Sequence, residues 1–192
     1  VRDSRIKIVS YQDFGAAFID EAVSIGRIEA AVRTVAGERV DVGPMPVGPG
    51  DAATVVANGE LGEPTAKAAL PDPDGTRRFL VAIPVDLHLS VKVAGTTHRF
   101  EATVLVRVRL SARTAVEPLA LVIDIAPPEV YDLEVDVRAS GIVARVLGRL
   151  GNVDAKIRKE VVAVVSDRLN APEAAAVKLI PIAEHIEAVW KS

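Results

Sequence analysis

The chain has 192 residues, 49% of them hydrophobic but only 4% aromatic, so its core must be built mainly from Val, Leu, Ile and Ala. The net charge is −3 with both signs spread along the chain, which argues against nucleic acid or an anionic membrane as an electrostatic partner. Cysteine is absent, so disulfides, thiolate metal sites and cysteine nucleophiles are excluded.

Val1-Arg2-Asp3-Ser4-Arg5 has no apolar segment behind it and does not read as a signal peptide. No apolar run approaches the roughly 18 residues of a membrane span. The expectation is a cytoplasmic protein. Phe14, Phe18, Ile25, Ile28, Val32 and Val35 then recur at helical spacing and form one apolar stripe. Ser10 with Asp13 reads as an N-cap, and Gly37 as a stop. A helix over Tyr11–Ala36 would run roughly 39 Å.

From Gly43 to Gly75 the chain is punctuated by Gly43, Pro44, Pro46, Gly48, Pro49, Gly50, Pro71, Pro73 and Gly75. This predicts an irregular excursion within one domain spanning residues 1–192, with one or two short strands between Ala53 and Leu70. The strongest pattern follows. Every odd residue from Val81 to Val93 is apolar: Val81, Ile83, Val85, Leu87, Leu89, Val91 and Val93. After Gly95-Thr96-Thr97, the even residues Phe100, Ala102, Val104, Val106, Val108 and Leu110 repeat the pattern. Period-two alternation on both sides of a turn predicts an antiparallel hairpin with one buried face. Further strands are predicted at Leu119–Ile125 and Tyr131–Arg138, separated by Pro127-Pro128.

Val143, Val146, Leu147, Leu150, Val153, Ile157, Val161, Val164 and Val165 carry a second helical stripe, weakened by Gly148 and Gly151, which reads as one kinked helix or as two broken near Gly151-Asn152. A strand at Val177–Ile182 and a helix at Ala183–Trp190 close the chain. A helix over Gly141–Leu169 would span roughly 43 Å, and the Val81–Val93 strand about the same. The matched lengths predict an α+β fold. In it a long, strongly twisted antiparallel sheet wraps around long amphipathic helices.

No residue pattern demands catalysis. There is no G-x-S-x-G elbow. His88 and His98 fall on polar strand faces near the turn, and His185 on a short helix, where solvated faces are the ordinary reading. Asp124, Asp132, Glu134 and Asp136 could collect a hard cation, but alternation already requires polar residues there. Gly48-Pro49-Gly50 lacks the Lys and Ser/Thr of a phosphate loop. Arg107, Arg109 and Arg113 lack interleaved aromatics, so no nucleic-acid surface is expected. No metal or cofactor is expected. What remains is apolar geometry, read as either a filled core or a groove for a hydrophobic ligand.

The order of elements, ending in Ala176-Val177-Lys178-Leu179-Ile180-Pro181-Ile182 and a terminal helix, resembles the tubular lipid-binding (TULIP) superfamily, with its SMP and BPI-like domains. The resemblance covers about Tyr11 to Trp190 and is topological, without a short motif. It implies a twisted sheet around a long helix, a lipid or other hydrophobic small molecule in the seam, peripheral membrane contact, and homodimers. It carries over no catalytic residue. The Gly43–Gly75 excursion and the lack of an evident anchor depart from it. The expected groove lies between the sheet and the helix begun near Gly141. Its expected walls are Val85, Leu87, Val106, Val108, Ile123, Val146, Leu150, Ile157 and Val161. Two alternatives use other chemistry: a cofactor-free cyclase or isomerase in the same cavity, and a scaffold binding a partner protein.

Overall fold

The computed structural model describes residues 6–33, 36–138, 153–169, 179–184 and 190. Two short helices come first, α1 (Tyr11–Ala22) and α2 (Ile25–Arg33). Seven strands follow: β1 (Arg39–Val47), β2 (Ala53–Leu61), β3 (Thr65–Ala68), β4 (Arg77–Val93), β5 (Thr96–Val116), β6 (Leu119–Ala126) and β7 (Leu133–Arg138). Helix α3 (Val153–Leu169) and strand β8 (Leu179–Pro181) come last, and short 3-10 turns lie at Pro49–Asp51 and Val130–Asp132. The fold is α+β, with a strongly curled antiparallel sheet shaped as a half-barrel.

The predicted hairpin is its spine. β4 and β5 pair from Arg77↔Ala112 to Val93↔Thr96, with Val85 opposite Val104 and Leu87 opposite Ala102. The loop is two residues long, with Ala94 at φ 46 and Gly95 at φ 85, the positive dihedrals a tight hairpin turn demands. Alanine is strained there, because its Cβ crowds the following carbonyl. Replacing Ala94 by Asn, which tolerates that region, should stabilise the fold by about 1 kcal/mol. Chemical denaturation of both proteins checks this; an unchanged midpoint would show that the turn carries no strain.

The hairpin is longer than one partner layer can cover. β5 has 21 residues, roughly 69 Å of extended chain, whereas α3 has 17 residues, roughly 25 Å. Each end of the hairpin therefore has its own neighbours. Near the Ala94–Gly95 turn, β2 pairs with β4, β1 with β2, and β7 with β5. At the other end, β3 pairs with β4, β6 with β5, and β8 with β6.

Two apolar clusters result. The first joins Val85, Leu87, Leu89, Val104 and Val106 to residues of β1 and β2, to Leu133, and to Val153, Ile157 and Val161 of α3. The second joins Phe79, Val81, Leu110, Ala112, Leu121 and Ile123 to Val23 and to Ile28 of α2. Both use odd residues of β4 and even residues of β5, so one sheet face serves both. Ile83 and Ile125 pack against each cluster.

Long amphipathic helices are not what this sheet wraps: among the described residues only α3 is long. The expected Tyr11–Ala36 helix breaks at Val23, whose backbone leaves the helical region at φ −118, ψ 38. The Ser24 backbone carbonyl then accepts from the N–H groups of Arg27 and Ile28 to start α2. Ser10 does cap α1, accepting from Asp13 N–H at 3.1 Å. Val143–Asn152, most of the expected Ala183–Trp190 helix and His185 lie outside the described residues.

The stretch 43–75 is more regular than its composition suggests, holding most of β1 and all of β2 and β3. Pro44 and Pro46 are accommodated because β1 is an edge strand, where a missing N–H breaks no central ladder. The register shifts between Val42 and Met45, and Gly43, at φ 96, occupies that bulge.

Candidate functional site

The residues expected to wall a groove lie in the two packed clusters. Val85, Leu87, Val106, Val108, Ile123, Ile157 and Val161 are all buried. Val146 and Leu150 lie outside the described residues. An open apolar groove lies elsewhere, between α1 and the far end of the β5–β6 pair, with a volume of about 910 Å³.

The groove follows from how α1 is held. No residue of α1 is buried. Phe14 is 61% exposed and Phe18 is 39% exposed. Their rings lie 6.3 Å apart, stacked one helical turn from each other. Gly15 and Ile19 also belong to the helix wall, and Ala115, Leu119 and Ala120 contribute to the sheet wall. A Cβ built on Gly15 meets nothing within 4 Å, so the helix stands clear of the sheet at that point. The cross-strand neighbours Val116 and Leu119 are also exposed, beside the groove.

Polar and charged residues share the lining: Gln12, Asp74, Thr76, Arg77, Arg113 and Thr114. Arg77 lines the groove, and its Nε donates to Asp20 of α1 at 2.7 Å, tying helix to sheet. Asp74 also lines it. Its carboxylate accepts from Thr76 N–H at 2.9 Å, and this bond holds the Asp74 carboxyl below its ordinary pKa. Arg113 borders the groove and pairs with Asp124.

Three of the four candidate cation ligands, Asp124, Asp132 and Glu134, have arginine partners instead, while Asp136 stands opposite Thr103 in the ladder. Arg107 donates to Glu134 at 2.7 Å and Arg109 to Asp132 at 2.9 Å. With Arg113 and Asp124 they form a row of pairs along β5, reaching β6, β7 and the turn before β7. Opposite charges on neighbouring strands contribute modestly here, about 0.2–1 kcal/mol each. Among the described residues no group of acids and histidines is placed to hold a metal ion. His88 faces Glu101 and His98 faces Val91 in the ladder, so the two histidines are not partners. Among the described residues no helix is long and apolar enough to cross a membrane.

Arg77 and Gly15 escaped the sequence reading. Arg77 stands two residues before Phe79 on the inward-facing register, so extending the alternation backward would have found it. Gly15 could have been noticed as a gap beside the Phe14–Phe18 stripe. Comparison with protein-family models and with curated proteins gives no match.

Proposed function

We propose that the protein binds a lipid or similarly apolar small molecule in the groove between α1 and the β5–β6 end of the sheet, as a carrier or transfer protein. The observation that carries this reading is α1 itself, an amphipathic helix tethered over an apolar sheet wall with none of its residues buried. Large apolar side chains gain about 1.5–3 kcal/mol each on full burial. Phe14, Phe18 and Leu119 leave much of that unrealised, and an apolar ligand between helix and sheet would realise it.

The groove volume, about 910 Å³, falls within the roughly 300–1,000 Å³ of pockets that hold one small ligand. The TULIP resemblance implies a ligand of this class held between sheet and helix. The present groove uses α1, whereas the expected one used the helix begun near Gly141. Tyr11, Val116 and Leu119 are exposed about the groove and would form an apolar lip. Transient contact of that lip with a membrane surface would give a ligand a dry entry route.

Native mass spectrometry of the purified protein, followed by organic extraction, tests this. The expected result is a protein mass with an apolar adduct that is recovered in the extract. Bare protein that also takes up no added lipid would overturn the reading.

A further inference from the structure

We infer that the groove's occupant is a single-chain amphiphile with a carboxylate head, of the long-chain fatty-acid class, and that Arg77 binds the head. The inference rests on the groove being a binding site and adds the chemistry of the ligand.

Arg77 is a cation on the wrong face for solubility. It shares the register of Phe79 and Val81 on β4 and stands opposite Ala112 of β5, both parts of the apolar face. Its side chain is only 19% exposed. A charge so placed is costly unless it is paired and its donors are used. Asp20 is a thin partner: it takes only Nε and is itself 61% exposed. Nη1 reaches the Gly75 carbonyl at a long 3.3 Å. Nη2 makes no hydrogen bond to the described residues and is open to solvent rather than sealed off, so a ligand can reach it.

A guanidinium is a planar fork matched to a carboxylate. One that is half-satisfied in an apolar groove favours a ligand bringing that anion on an apolar tail. The arrangement also gives Asp20 a second role, as a competitor for Arg77 when the groove is empty. Asp74, the other acid of the groove wall, bonds to Thr76 instead. It therefore does not neutralise Arg77 through a direct bond.

The test uses Nile red, a neutral apolar dye, displaced from the whole protein by palmitic acid or by hexadecanol. These competitors share a chain and differ in the head. The parent should bind the acid about tenfold or more tightly than the alcohol, the scale of a charge-assisted hydrogen bond. Arg77→Gln should erase that preference, bringing the affinity for the acid down to that for the alcohol. Asp20→Asn should keep or raise the preference, because it removes the competing carboxylate. A purely structural clamp predicts instead that both variants lose acid and alcohol binding together.

Equal competition by acid and alcohol in the parent would overturn the Arg77 assignment while leaving the groove standing. Failure of Nile red and both competitors to bind the parent would overturn the groove and this inference together. If Arg77→Gln does not fold, Asp20→Asn decides, and loss of the acid preference there would count against the assignment.

Discussion

Replacing Gly59 by alanine is expected to destabilise the protein by about 3 kcal/mol, the upper part of the usual overpacking range. Gly59 lies within β2 opposite Leu87 of β4, on the inward-facing register with Val55 and Ala57. A Cβ there would sit 2.0 Å from the Asp86 carbonyl oxygen and 2.8 Å from Leu87 Cδ2. The nearer obstacle is backbone, so relief requires the two strands to separate. Separation would disturb the ladder beside the main core. For a chain of this length the loss corresponds to a fall in melting temperature of roughly 6–12 °C. Alanine at Gly26, where a Cβ meets nothing within 4 Å, is the matched control and should be neutral or stabilising. Equal melting temperatures for the two variants would show that β2 and β4 are not so closely apposed.

Truncating Ile157 to alanine should cost about 4 kcal/mol, within the range for a fully buried isoleucine. Ile157 is 0% exposed and lies one turn from both Val153 and Val161. This side chain joins α3 to the β1, β4 and β5 core, and the cavity it leaves would be walled by residues fixed in strands. The better helix propensity of alanine recovers only about 0.4 kcal/mol. Denaturant unfolding measures the effect. A loss below about 1 kcal/mol would mean that α3 is not docked on the sheet.

Much of this architecture is legible in the sequence where burial and periodicity agree. The alternation from Val81 and from Phe100 assigns each side chain of the hairpin to its face, because a one-residue slip would turn every side chain outward. Leu119–Ile125 and the Ser10 cap are legible for similarly local reasons. β1 is obscured because its prolines and Gly43 read as loop punctuation, and only its place at the sheet edge makes them compatible with a strand. The break at Ser24 is hidden by an apolar stripe that runs through it, since periodicity records a face and not continuity.

The site shows a deeper limit. Phe14 and Phe18 have the spacing of a buried stripe, yet what covers a stripe is decided by tertiary placement. Val85, Ile157 and Val161 also belong to apolar patterns and are buried. A pattern of apolar residues therefore identifies walls. It does not distinguish a filled wall from an open one.

The most direct measurement is a Nile red titration of the parent protein and of Gly15→Trp, with thermal melting of both. Gly15 lines the groove and has free space at its Cβ position, so an indole there occupies ligand volume without displacing the core. Trp is also a better helix former than Gly, by roughly 0.5 kcal/mol, so folding should not suffer. The expected result is saturable dye binding by the parent, loss of that binding in Gly15→Trp, and a melting temperature unchanged or raised. Equal dye binding by both proteins, or none by the parent, would contradict a ligand site beneath α1.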